Sequence, residues 1–97
     1  MAEPNYESLG RYHAALEIFQ GLSSRRQECL SELSVMLARS ISSPTDMVVL
    51  TLDAARTEEL VQELVRIDNE MMQVVDVINH HAEECGKAKV KVIDPVF

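Results

Sequence analysis

Tryptophan is absent from this chain, and tyrosine and phenylalanine contribute two residues each. Sandwiches and barrels lean on aromatic and β-branched side chains, so a core drawn from Leu, Val, Ile, Met and Ala points to helices packed on helices. Three glycines and three prolines exclude collagen-like and low-complexity classes. Two cysteines, Cys29 and Cys85, are too few for a disulfide framework, and neither lies in a CxxC pair, so both are expected as reduced thiols. No apolar run approaches the ~20 residues that cross a bilayer; MVVL at 47–50 is among the longest. The opening MAEPNYESLGRYH has no basic segment followed by an apolar one, so no signal peptide is expected and the protein is placed in the cytoplasm. Glycine-rich phosphate loops, GKS/T motifs and nucleophile elbows are also missing. Neither an enzyme nor a cofactor is expected.

Positive charge is scarce and confined. All three lysines, Lys87, Lys89 and Lys91, fall near the C-terminus, while residues 1–86 hold six arginines against fifteen acids. With a net charge of −7, direct binding to nucleic acid or to an anionic membrane is not expected. A chain of 97 residues makes one domain with a small core, which raises the prospect of a second copy.

What is present is helical periodicity. Leu9, Tyr12, Leu16 and Phe19 recur at steps of three and four, and the rhythm continues through Ser23, Arg26, Leu30, Leu33 and Leu37. A second row, Ala15, Leu22, Cys29 and Met36, lies one position earlier. The phase survives Gly21, which favours one long helix over about 5–39 against a break there. SISSPTD at 40–46 then interrupts it. Ser43 as N-cap, Pro44 in the first turn and Asp46 three residues after the cap predict a second helix from about 44 to 85, leaving a turn at 40–43. The β-branched MVVLTL at 47–52 leaves open a short strand instead.

From Leu60 the pattern is strict: Leu60, Leu64, Ile67, Met71, Val74, Ile78, His81 and Cys85 alternate steps of four and three. Gly86 suits the C-cap. Residues 87–97 form a basic tail in which KVKV alternates; a solubilising terminus is the leading expectation, and Val90, Val92 and Phe97 are candidates for adding a strand to a partner's sheet. The expected fold is therefore all-α, with a long antiparallel hairpin over 1–86 resembling a coiled coil, followed by an extended tail.

A turn at 40–43 makes facing residue numbers add to about 83, pairing Leu9 with Val74, Phe19 with Leu64, and Arg25 with Glu58 and Glu59. It also carries His81 and Cys85 past the end of the first helix. Two helices cannot cover every apolar row. Leu22, Cys29, Met36, Val61, Val65, Met72 and Val75 are therefore assigned to an oligomer or partner interface, and two hairpins are expected to pair as a four-helix bundle. Methionines at such spacing, Met36, Met71 and Met72, are expected as core, with an adaptable binding groove as the alternative.

Residues 79–85, NHHAEEC, carry the chemistry. His80 with Glu84 and His81 with Cys85 are each four apart on a helix, a spacing that permits metal chelation. A solvated helix end, where positive charge is favoured, explains the same residues, and no metal is expected. A di-iron bundle would need a Glu-x-x-His order, and the order here is His81-x-x-Glu84.

Size, an acidic coiled hairpin and the lack of catalytic signatures together resemble the small all-helical accessory proteins of tailed bacteriophages and prophages, and to a lesser degree small secretion chaperones. That resemblance implies a host-modulating or assembly role in a bacterial cytoplasm and supplies no site residues. The leading expectation is a homodimeric adaptor or regulator that binds another protein. The alternatives are an acidic inhibitor seated in the basic cleft of a host nucleic-acid enzyme and a metal-binding bundle centred on His81 and Cys85.

Overall fold

A computed structural model describes residues 6–93 and Pro95 of the chain. Among the described residues there are two helices and no strand: α1, Tyr6–Arg39, and α2, Ala54–Cys85. They pack as an antiparallel hairpin whose extents are 73 × 25 × 15 Å. The helix α1 runs unbroken through Gly21, as the conserved heptad phase across that residue predicts.

The second helix starts later than the Ser43 cap suggests. Asp46 does close a turn on Ser43, its side chain accepting from the Ser43 N–H at 3.1 Å and its own N–H donating to the Ser43 carbonyl at 3.1 Å. The helix does not propagate because Met47 follows at φ 53, in the left-handed region, and the β-branched residues after it are poor helix formers. Residues 47–52 are neither strand nor helix. The effective N-cap is Asp53, whose carboxylate accepts from the Arg56 N–H at 3.1 Å. The connection thus covers 40–53 rather than 40–43.

A longer connection shifts the register. Ser8 faces His81, Arg25 pairs with Glu63, and Arg56 pairs with Glu32, so facing numbers add to 88 or 89 instead of 83. The expected contacts of Arg25 with Glu58 and Glu59 are replaced accordingly. Arg26, expected opposite Thr57, instead reaches Asp68 at 2.6 Å.

The α2 stripe packs as its spacing predicts: Leu60, Ile67, Ile78 and His81 are buried, and Leu64, Met71, Val74 and Cys85 are half-buried. On α1 the buried face is turned by one position. Ser8, Tyr12, Ala15 and Leu22 are buried, followed by half-buried Phe19, Cys29, Leu33 and Met36, while Leu37 is exposed. Leu22, Cys29 and Met36 consequently face α2 rather than lying on an uncovered row, and Val75 is likewise buried inside the hairpin. The best-closed part of the core lies at the end remote from the loop, where Tyr12, Ala15, Ile78 and Ala82 cluster with Val90 of the tail.

Candidate functional site

Gly86 ends α2 at φ 67, and the Lys87 N–H donates back to the Ala82 carbonyl at 2.9 Å, a closure that a residue with a Cβ would strain. The turn sends the tail back along the hairpin. Tyr12 donates its hydroxyl to the Ala88 carbonyl at 3.1 Å, and the Asn79 side chain holds both backbone groups of Val90. Residues 87–93 are extended but docked on their own helices. Val90 is half-buried and committed; Val92 is about half exposed, and Phe97 lies outside the described residues. Strand addition to a partner through Val90 requires this docking to be undone.

At the same end of α2, four polar side chains converge. His80 Nε2 lies 3.2 Å from Glu84 Oε1, and His81 Nδ1 lies 3.5 Å from Glu84 Oε2. The Ser8 hydroxyl donates to Glu84 and lies 3.1 Å from His81 Nδ1. The two imidazoles meet edge to face, with centroids 5.0 Å apart. Cys85, paired with His81 in the sequence reading, instead donates its thiol to the His81 carbonyl at 2.9 Å.

Serine, histidine and glutamate in contact suggest nucleophilic catalysis, and the geometry argues against it. A working relay places hydroxyl and carboxylate on opposite ring nitrogens, whereas here both lie on Nδ1. Ser8 is also buried, so a substrate carbonyl has no approach to its oxygen. His13, the third histidine, is exposed on α1 and packs edge-on against Tyr12.

The two broad sides of the hairpin differ in chemistry. One is charged: Arg25, Glu63 and Arg66 form one linked group, and Glu32, Arg56 and Glu59 another. The hydrogen bond from Arg56 holds the Glu32 carboxyl below its ordinary value, with the Coulombic attraction of the same guanidinium adding to the effect. The other side carries a groove in which Phe19, Met71, Met72 and Val75 adjoin Ser23, Gln27 and the Arg26–Asp68 ion pair, roofed in part by the tail from Val90 to Ile93. Helical spacing continues that side toward the loop through Leu30 and Leu37 on α1 and Val65 and Val61 on α2. Val61, Val65 and Met72 are each close to half exposed.

The loop adds more apolar surface. Ile41, Met47, Val48, Val49, Leu50 and Leu52 are all exposed, Met47 almost completely. A sequence reading that continued the helix through 47–52 misses this display; the signal available was the cluster of β-branched residues directly before the Asp53 cap.

No helix among the described residues is long and apolar enough to cross a membrane. Compared with protein-family models, curated proteins and solved structures, the chain matches none of them significantly.

Proposed function

We propose that this chain is a non-enzymatic protein-interaction module that works as a homodimer, two hairpins closing into a four-helix bundle and offering their apolar loops to another protein. The observation that carries this reading is excess surface. A compact monomer of 10.9 kDa exposes about 5,600 Å², whereas this chain exposes 7600 Å². Its radius of gyration is 19.6 Å, against about 12.5 Å for a compact chain of this length. The difference in area, on the order of 2,000 Å² per chain and so about 4,000 Å² for two, falls in the range that obligate dimers remove from water.

The side to be covered is the apolar one. The tail occupies the half remote from the loop, and the other half leaves Leu37, Val61 and Val65 open. Salt-linked Arg and Glu residues on the opposite side favour solvent. Two unbridged thiols, Cys29 and Cys85, suit a reducing compartment such as the cytoplasm.

Light scattering on wild-type protein and a Val61→Ser/Val65→Ser variant tests the proposal. All-helical dimers are expected for wild type and a shift toward monomer for the variant. Equal masses for the two proteins would remove this face from the interface.

A further inference from the structure

We propose that His80, His81 and Glu84 form a binding site for a divalent transition-metal ion of the zinc type, with Ser8 as an outer-shell positioning residue. The three donors come from one turn at the C-terminal end of α2, and their ligand atoms all lie within 4.8 Å of one another. Two ligands of a tetrahedral ion held at about 2.1 Å sit about 3.4 Å apart. His80 Nε2 lies 3.2 Å from Glu84 Oε1 and His81 Nδ1 lies 3.5 Å from Glu84 Oε2, so each imidazole is at that spacing from one oxygen of the carboxylate, and a small rotation of Glu84 sets one oxygen against both. The gap between the two imidazoles is the one that must close, and His80 is exposed enough to rotate toward it.

Three features favour a cation here. The carbonyl end of a 32-residue helix carries partial negative charge. Glu84 supplies a full one. His81 is fixed by burial, so little side-chain entropy is lost on its side of the site. Donor chemistry sets the class of ion: two imidazole nitrogens and one carboxylate suit zinc, nickel or copper, while calcium and magnesium call for more oxygen ligands.

The apo arrangement also defines what must change. Nδ1 of His81 lies 3.1 Å from the Ser8 hydroxyl, and the metal takes the place of that contact with the ring in the tautomer that carries its proton on Nε2. The Ser8 hydroxyl keeps its bond to Glu84 and orients the carboxylate, the usual role of an outer-shell partner. Three protein ligands leave a fourth position for water or another donor. The site lies within one chain, so it does not depend on the dimer.

Calorimetric titration of the tag-free, reduced full chain with Zn²⁺ tests the site, with helicity checked for every variant. One ion per chain is expected. Binding should weaken at least about tenfold in His80→Ala and in Glu84→Gln, the least that even outer-shell losses cause. His13→Ala and Cys85→Ser should bind as wild type. With Cu²⁺ as the probe, electron paramagnetic resonance should show two imidazole nitrogens in wild type and one in His80→Ala. Absence of saturable one-to-one binding would overturn the proposal. So would wild-type affinity in Glu84→Gln, or loss of binding in Cys85→Ser, which would move the site to His81 and the thiol.

Discussion

The Asn79 side chain grips the backbone of Val90 at both of its polar groups, donating to the carbonyl at 3.1 Å and accepting from the N–H at 2.7 Å. One amide thereby does for the tail what a neighbouring strand would do, and the extended KVKV segment is satisfied within its own chain. Removing the amide leaves two partly buried backbone groups without these partners. Asn79→Ala should cost about 1–3 kcal/mol and expose the Val90 amide to rapid hydrogen exchange, while the exchange of mid-helix amides in α1 changes little. Unchanged protection of Val90 would show that the tail is held by other contacts.

Ile67 and Ile78 are the largest fully buried side chains, at 1% and 0% exposure. Truncating either to Ala should destabilise the hairpin by about 2–5 kcal/mol. Substituting Ser for Met47, which lies 96% exposed in the loop, should shift stability by less than about 0.5 kcal/mol. Urea midpoints measured side by side check the contrast, and equal losses at Ile78 and Met47 would contradict the burial pattern.

The Arg56–Glu32 pair gives stability a defined dependence on acid. Because the Glu32 carboxyl is held below its ordinary value of 4.5, its contribution is fully present above that value and is lost as pH falls through the lower, folded-state value. Both side chains are exposed, so the effect is small. Wild type should exceed Glu32→Gln in urea midpoint at neutral pH, and the gap should narrow as pH falls below 4.5. A gap of constant size would mean that the pair contributes no pH-dependent stability.

Much of this fold was legible in the sequence, and the errors have physical causes. Large apolar residues at strict steps of four and three mark Leu60, Ile67, Ile78 and His81 on the buried face of α2, while buried Val75 and Ala82 lie off that stripe. On α1 side-chain size favours Leu9 and Leu16 over Ser8 and Ala15 as the seam. In the folded chain, small residues sit at the centre and leave room for Tyr12 and His81, with the leucines on the flank. The turn was misplaced because Ser43 and Asp46 do form a cap-like closure, and a local pattern cannot reveal that Met47 then leaves the helical region. That error carried into the register. It places His81 beyond the first helix and hides its contact with Ser8, so the sequence suggests a solvated helix end where half of the polar cluster is enclosed.

Gly86 is a further point where backbone geometry decides the outcome. At φ 67 any other residue is strained, so Gly86→Ala should cost about 1–2 kcal/mol. It should also loosen the tail, since the turn aims Ala88 at Tyr12 and Val90 at Asn79. Faster exchange at Val90 together with a lower thermal midpoint is the expected pair of changes. A lower midpoint with Val90 still protected would separate the cap from the docking of the tail.

The central claim is that this elongated, surface-rich hairpin is one half of a bundle. Sedimentation equilibrium over low to high micromolar concentration, with circular dichroism at the same concentrations, tests it most directly. The account predicts helical protein at twice the 10.9 kDa chain mass, dissociating only where helicity also falls. A fully helical species that stays at 10.9 kDa throughout the micromolar range would contradict it.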